Sequence, residues 1–253
     1  MNPTSEKKTI FPTLTLPLAC GLVAALLIWA FILIGSEMLE GDTRSFDMQL
    51  LRTAQSVRAA QPWVAVAMRD FSGMGSGAVL TLFTGVTVVY LVLMRKHWMA
   101  LLVASAVITG SVVVSWLKFG FARARPGVEF AELVASGLSF PSAHAGNSAI
   151  VFLTLGALLA STRIRAVERI YILSVATLMT TLVGLSRVAL GVHWATDVLA
   201  GWAFGAAWAL VWLMLARRVS SPKHYEQLTS AMSGSGSGSG SENPHHAPRP
   251  RPP

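Results

Sequence analysis

The chain has 253 residues, of which 53% are hydrophobic and only 13% are charged. Soluble domains usually carry about 25% charged residues, so this composition argues against an ordinary water-soluble fold. The net charge of +8 comes mainly from Lys and Arg that border apolar segments, not from a basic stripe, which argues against nucleic acid as a partner.

Six apolar segments predict an all-α fold, a polytopic membrane protein whose six transmembrane helices form a bundle. In chain order, the segments cover residues 13–34, 77–93, 98–117, 144–160, 170–190 and 193–215. No small-residue cleavage site ends the first segment before Ser36, so we expect a retained anchor and not a signal peptide. Gly201 and Gly205 in the last segment have the spacing that favours close helix packing over dimerisation.

Residues 37–76 connect the first two segments and include an amphipathic stretch around Phe46, Leu50, Leu51 and Val57. Two interpretations are open for this stretch. It lies flat at the membrane interface, or it forms an extramembrane helix that packs on the bundle.

Basic loops set the expected orientation, because short positive loops favour the cytoplasmic side of a membrane. If six helices alternate, four basic segments fall on one side: Lys7 and Lys8; Arg95 and Lys96; Arg163, Arg165 and Arg169; Arg217, Arg218 and Lys223. We therefore expect both termini in the cytoplasm, with residues 37–76 and 118–143 at the outward face.

The composition changes after about Ser220, where a Ser-Gly repeat and a Pro-rich end replace the apolar segments. We predict that residues 1–220 form one membrane domain and that residues 221–253 form a flexible tail. The adjacent His245 and His246 in this tail are not expected to bind a metal.

Three clusters of polar residues fall at helix ends on the outward face of the predicted bundle. They are Lys118, Arg125 and Pro126; Pro141, Ser142, Ala143 and His144; and Ser186, Arg187, His193 and Asp197. The alternating topology therefore predicts that residues far apart in the sequence surround one point.

Permanent cations and a helix start predict an anion site at that point. Guanidinium groups fit phosphate oxygens in pairs, and an ammonium adds a point charge. Ser142 as an N-cap would leave the backbone N–H groups of Ala143 and His144 pointing outward, which also suits phosphate. The alternative is that the cations are interfacial anchors whose charged ends reach the headgroups, and this interpretation suits Arg123 taken alone.

His193 and Asp197 are four residues apart, so on a helix they share one face. A carboxylate that accepts from one ring nitrogen leaves the other nitrogen available as a nucleophile; the alternative is a structural pair that joins two helices. His144 is a candidate proton donor for a leaving oxygen, or else a polar residue near the interface.

Metal binding is the rival chemistry for two histidines and an aspartate. The nearby cations would repel a metal ion, so we expect neither a metal nor another cofactor.

The three clusters resemble the signature of the type 2 phosphatidic acid phosphatase superfamily of membrane lipid phosphatases. That signature reads Lys, six residues, Arg-Pro; then Pro-Ser-x-His; then Ser-Arg, five residues, His, three residues, Asp. Residues 118–126, 141–144 and 186–197 match it in order and with every spacing. Ala143 departs from it, because Gly is commonest there, and Ala would be strained if that backbone needed a positive φ.

The resemblance implies a metal-independent lipid phosphatase that uses a phosphohistidine intermediate. His193 would attack phosphorus, Asp197 would orient the imidazole, and His144 would protonate the leaving group and later activate water. The phosphoryl oxygens would be held by a separate set of groups: Lys118, Arg125, Ser142, Ala143 and Arg187.

The substrate implied is the headgroup of a membrane lipid, such as a polyprenyl diphosphate, phosphatidylglycerol phosphate, phosphatidate or a related lipid. Two alternatives stay open: phosphate transfer to another lipid at the same site, and a non-catalytic binder or transporter of anionic lipid. The run from Ser139 to Ser142 resembles bacterial members, which implies the inner membrane with the site on its periplasmic side.

Overall fold

The computed structural model of the chain describes residues 11–219, and the side chains of residues 17–218. Within that range every regular element is a helix, and there is no strand. The α-helices are α1 (Phe11–Glu40), α2 (Arg44–Ala60), α3 (Pro62–Met74), α4 (Gly77–Leu93), α5 (His97–Phe121), α6 (Ala143–Ser161), α7 (Ala166–Ala189) and α8 (Ala195–Val219). A short 3-10 helix covers Val128–Phe130.

The described residues up to Ala216 belong to one compact unit. Residues 217–219, at the end of α8, fall outside that unit. The predicted tail at residues 221–253 lies outside the described residues.

Five described helices are long and apolar enough to cross a membrane, namely α1, α5, α6, α7 and α8. The helices α3 and α4 bend by 43° at their junction and together qualify as a sixth span. The predicted segment at residues 77–93 corresponds to α4, which has 17 residues. At 17 residues α4 is at the short end of the range of roughly 17–25 for a transmembrane helix, and a sixth span is reached if α3 and α4 count as one.

The connection at residues 37–76 contains α2 and α3, and α2 packs against α3 and α7. Asp47, Leu51 and Arg58 of α2 are buried, whereas its apolar residues Phe46 and Val57 are each 45% exposed. The face of α2 that meets the bundle therefore carries two charged side chains, whereas Phe46 and Val57 lie on the exposed side. This arrangement brings charged groups of α2 close to the polar end of the bundle.

Aromatic rings join α1, α5 and α8 to the segment before α6. The Phe121 and Phe140 ring centroids are 4.6 Å apart, and Phe31 lies 5.8 Å from both Phe140 and Phe204. Phe140 is completely buried. The aromatic contacts thus fix residues 139–142 against three helices, at the point where α6 begins.

The helices α6 and α8 approach closely through glycines. A Cβ at Gly201 would lie 2.8 Å from the carbonyl oxygen of Ser142, and a Cβ at Gly205 would lie 2.6 Å from the Cβ of Ala149. Both are closer than ordinary van der Waals contact. The prediction that these glycines serve close helix packing is confirmed.

A tight turn at Gly191 separates α7 from α8, which begins at Ala195 and not at His193 as predicted. Gly191 has φ +70°, and a Cβ there would overlap the carbonyl oxygen of Phe130. A positive φ is readily available only to glycine. The turn ends the helical pattern early and leaves His193 in the irregular segment that leads into α8.

Substitution of Gly191 by alanine is therefore expected to lower stability. The left-handed conformation alone costs an alanine about 1–2 kcal/mol, and the overlap with Phe130 adds to this. Thermal unfolding of the purified protein in detergent should show a lower midpoint for Gly191→Ala. Gly85→Ala is the matched control, because a Cβ at Gly85 in α4 meets nothing within 4 Å. Equal midpoints for the two variants would contradict the prediction.

Candidate active site

His193 and Asp197 form a buried pair at the start of α8. The imidazole Nδ1 lies 3.2 Å from Asp197 Oδ2, and both residues are at most 1% exposed. The same Oδ2 accepts hydrogen bonds from the Trp194 backbone N–H at 2.9 Å and from the Ser139 hydroxyl. Asp197 Oδ1 accepts from Arg123 Nη1 at 2.7 Å. The carboxylate is thus held by four donors.

The other imidazole nitrogen, His193 Nε2, faces the guanidinium of Arg125. Arg125 Nη1 lies 3.0 Å from Nε2 and 2.7 Å from the carbonyl oxygen of Val192. Because a guanidinium only donates, Nε2 accepts and the ring proton resides on Nδ1. The carbonyls of Gly137 and Ser136 accept from Arg125 Nε and Nη2 at 3.1 and 3.0 Å. The arrangement orients a neutral imidazole whose lone pair points at a cation.

Lys118 and Arg187 approach the same region from α5 and α7. Lys118 Nζ donates to the carbonyl oxygen of Leu138 at 2.9 Å. Arg187 is 6% exposed and donates through Nη1 to the Ser72 hydroxyl. Arg187 Nε is buried and has no hydrogen-bond partner among residues 17–218. A buried guanidinium donor without an acceptor is unusual, and an anion would satisfy it.

His144 and the start of α6 complete the region. His144 is half-buried and lies within electrostatic range of Arg187, His193, Arg125 and Lys118. Ser142 is the N-cap of α6, and its hydroxyl accepts from the Ala145 backbone N–H at 3.5 Å.

The backbone at this helix start is anchored to α8 and unstrained. The Ser142 N–H donates to the Asp197 backbone carbonyl at 2.9 Å. The first helical N–H groups, those of Ala143 and His144, have no intrahelical acceptor. Ala143 does not belong to the residues with positive φ, so the departure from Gly at this position brings no strain.

Burial governs the charge of the imidazole. It lowers the pKa of His193 to about 4, although the hydrogen bond and the charge of Asp197 act in the opposite direction. Burial also lowers the pKa of Arg125, and the charge of Asp197 opposes this effect. Arginine nevertheless stays charged at neutral pH. His193 is therefore neutral and Arg125 cationic at pH 7.

The structure brings the three predicted clusters to one end of the bundle. It also adds residues that sequence reasoning missed: Asp47, Ser72, Ser139, Trp194 and Thr196. Asp47 accepts from Arg123 Nη2 at 2.7 Å and from the Thr196 backbone N–H at 2.9 Å. The sequence feature that could have indicated its role is its position one helical turn before Leu51, with which it shares the buried face of α2.

Arg123 is not the interfacial anchor that its position suggested. Its side chain is 14% exposed and pairs with two fully buried carboxylates, Asp47 and Asp197. Its guanidinium also lies 5.3 Å from the centre of the Trp194 ring, within the range of a cation–π contact. Two carboxylates hold the charge of Arg123 inside the protein, which is why it does not extend towards headgroups.

Two clefts flank Arg125. One, of about 350 Å³, is lined by residues of the loop 126–135 and by Gly191 and Val192. The other, of about 490 Å³, lies between the end of α1, the start of α2 and residues 123–130. Space for a bound molecule therefore exists on both sides of the guanidinium that faces His193.

An all-helical membrane bundle that collects cations and a helix start around an oriented histidine is typical of integral membrane phosphatases. Residues 97–220 match the sequence profile of the PAP2 superfamily. The chain is 31% identical over 179 residues to phosphatidylglycerophosphatase B of Bacillus subtilis (strain 168), covering 69% of this chain and 85% of that relative. This chain belongs to the PAP2 superfamily.

Two solved structures are similar in fold. A transmembrane PAP2-type phosphatidylglycerolphosphate phosphatase from Bacillus subtilis has a TM-score of 0.73 and 26% identity, and the match covers 79% of this chain and 98% of that one. Aquifex aeolicus LpxE has a TM-score of 0.51 and 25% identity, and its match covers 66% of this chain and 93% of that one. The protein is therefore a multi-pass membrane lipid phosphatase.

The neutral state of His193 leads to a testable pH dependence. A lowered pKa means that the deprotonated imidazole persists into mildly acidic solution and is lost only as the pH falls towards about 4. Nitrogen NMR of ¹⁵N-histidine-labelled protein, without phosphate, should show the Nδ1–H neutral ring of His193 at pH 5.5. The His193→Ala spectrum provides the assignment. A titration midpoint near the ordinary value of about 6.5 would contradict the prediction.

Proposed function

We propose that this protein hydrolyses the phosphate or diphosphate headgroup of a membrane lipid through a phosphohistidine intermediate. His193 Nε2 attacks phosphorus, so that an N–P bond forms while the bond from phosphorus to the leaving oxygen breaks. His144 donates a proton to that oxygen. In the second step His144 takes a proton from water, the water oxygen attacks phosphorus, and inorganic phosphate leaves as the N–P bond breaks.

The observation that carries this proposal is the orientation of the His193 ring. Its Nδ1 is directed to Asp197 at 3.2 Å, and its Nε2 is directed to a cation, Arg125, at 3.0 Å. An imidazole whose one nitrogen is oriented by a carboxylate has the geometry of an activated nucleophile. The cation beyond Nε2 marks the place where a phosphoryl group would sit.

Several groups would stabilise the phosphoryl oxygens in the transition state. Charge spreads over these oxygens during transfer, so positioned cations and N–H donors supply most of the catalysis. Arg187 offers the buried Nε that has no acceptor within the described residues. Lys118, Arg125 and the helix start formed by Ser142 and Ala143 provide the other donors.

Metal independence is part of the proposal and is supported by the donor set. Asp197 is the carboxylate next to His193, and four donors already hold it. Between residues 11 and 219, no three His, Cys, Asp or Glu side chains are grouped so that they could hold a metal ion. Three cations around the imidazole supply the electrophilic assistance that a metal would otherwise give.

The preferred substrate that we propose is phosphatidylglycerol phosphate, because the relative with 31% identity is a phosphatidylglycerophosphatase. Polyprenyl diphosphates and phosphatidate carry the same reacting group. We also propose the bacterial inner membrane with an outward-facing site. The basic pair Arg95–Lys96 precedes α5 and Lys118 lies near its end, so the cytoplasmic charge signal and the site occupy opposite ends of that helix.

Replacement of the nucleophile tests the reaction. His193→Ala should reduce phosphate release from phosphatidylglycerol phosphate in mixed micelles by at least about 1,000-fold, as removal of a covalent nucleophile does. The control is His97→Ala, because His97 is exposed and lies at the other end of α5. Full phosphate release by His193→Ala would exclude His193 as the nucleophile. Labelled phosphate that appears in another lipid, and not as inorganic phosphate, would instead indicate phosphotransfer.

Chelation tests the metal-free mechanism. Phosphate release should be unchanged after incubation with excess EDTA, because the cations of the protein provide the charge stabilisation. A metal-dependent phosphatase in the same buffer serves as the positive control for chelation. Loss of activity with EDTA and its recovery with a divalent cation would overturn the proposed metal independence.

A further inference from the structure

The Asp197 carboxylate belongs to a chain of ionic contacts that extends away from His193 to α2. Arg123 Nη1 donates to Asp197 Oδ1 at 2.7 Å, and Arg123 Nη2 donates to Asp47 Oδ2 at 2.7 Å. Asp47 is 1% exposed and Asp197 is completely buried. The ionic contacts therefore link the imidazole to a carboxylate, a guanidinium and a second carboxylate, and both carboxylates are buried.

Asp47 also fixes the backbone from which Asp197 projects. Its Oδ1 accepts from the Thr196 backbone N–H at 2.9 Å, and its Oδ2 accepts from the Thr196 hydroxyl at 2.7 Å. Thr196 lies in the first turn of α8, next to Asp197. A carboxylate at the start of a helix satisfies an N–H group and complements the helix dipole. Here the carboxylate comes from a different helix, α2.

One short segment reaches both ends of the His193–Asp197 pair. Arg125 contacts the imidazole at Nε2, and Arg123, two residues earlier, contacts the carboxylate at Oδ1. The Trp194 ring lies beside Arg123, and the indole Nε1 donates to the Ala124 carbonyl at 2.9 Å. The segment 123–125 is thus bonded to the pair through two guanidinium groups, and to Trp194 through a backbone carbonyl.

We propose that Asp47 and Arg123 are positioning residues for the reaction, which hold the Asp197 carboxylate in place and balance its charge against His193. The inference rests on the proposed role of His193 as the nucleophile. Arg123 alone would neutralise the charge that Asp197 directs at the imidazole. Asp47 compensates Arg123, so the three groups together keep one net negative charge next to Nδ1.

The two residues should act on the imidazole in opposite directions. Loss of the Asp47 charge leaves Arg123 to neutralise Asp197, and a protonated imidazole then gains less from its neighbour. Loss of the Arg123 charge leaves two carboxylates near the ring, and a protonated imidazole gains more. Other charged or titratable groups around His193 stay unchanged in both cases: Lys118 of α5, Arg125 of the loop, His144 of α6, Arg187 of α7 and Asp197 of α8.

The experiment compares Asp47→Asn, Arg123→Gln and the double variant in full-length protein. Misplacement of a reacting group lowers rates steeply, so each single variant should reduce kcat for phosphatidylglycerol phosphate by about 10–100-fold with little change in KM. The controls are Asp42→Asn and Arg52→Gln, which remove the same charges from exposed positions next to or on α2. Control variants should keep the activity of the unmodified protein.

The pH profile separates positioning from a merely structural role. The acid limb of kcat/KM, and the NMR midpoint of His193, should move to lower pH in Asp47→Asn and to higher pH in Arg123→Gln. Each shift should be about one pH unit. The double variant should return towards the unmodified midpoint. A loss of folding stability would not shift the pH midpoint in opposite directions in the two single variants. If one neutral variant fails to fold, Asp47→Glu and Arg123→Lys provide the test, because they keep the charge. Each should retain more activity than the neutral variant of the other residue.

Two kinds of failure are distinguishable. If His193→Ala keeps activity, the proposed function fails. If His193 is essential while Asp47→Asn and Arg123→Gln behave like Asp42→Asn and Arg52→Gln in both kcat and pH midpoint, the positioning role alone is overturned. Midpoints that move in the same direction in both single variants would also overturn it.

Discussion

The Asp197 carboxylate is completely buried and accepts hydrogen bonds from four donors of the protein. Its donors come from the loop after α5, from the segment before α6 and from the turn that leads into α8. Removal of one partner from a buried ion pair leaves an uncompensated charge, which costs about 3–5 kcal/mol. The position of this carboxylate therefore constrains the ends of several helices at once, and the orientation of His193 follows from it.

The surrounding packing keeps that geometry. Phe140 is buried against α1, α5 and α8, so the residues on either side of it cannot move independently of the bundle. The glycines of α8 let its backbone approach α6 closely, where Ser142 donates its N–H to the Asp197 carbonyl. The apolar contacts thus hold the helix ends together, and the hydrogen bonds fix the orientation of the polar groups.

Much of this architecture could be predicted from the sequence, because apolar length and loop charge determine the spans, and motif spacing fixes which helix ends carry Lys118, Arg187 and His193. The contribution of α2 could not be predicted in this way. Asp47 follows a run of mixed polarity, and only the tertiary contacts show that its side chain faces the bundle. Arg123 was misinterpreted for the same reason, since its two partners come from distant parts of the chain.

The contact between Arg125 and His193 Nε2 has a consequence for selectivity. In the proposed mechanism, a phosphoryl group that reaches His193 Nε2 competes for the guanidinium of Arg125 with the imidazole and with the carbonyls of Ser136 and Gly137. A terminal phosphate carries a charge of about −1.5 to −2 at neutral pH and competes well for that cation, whereas the singly charged diester of an ordinary phospholipid competes less. On the proposed mechanism, the resting contacts of Arg125 thus disfavour the diester headgroups of the bilayer that surrounds the protein.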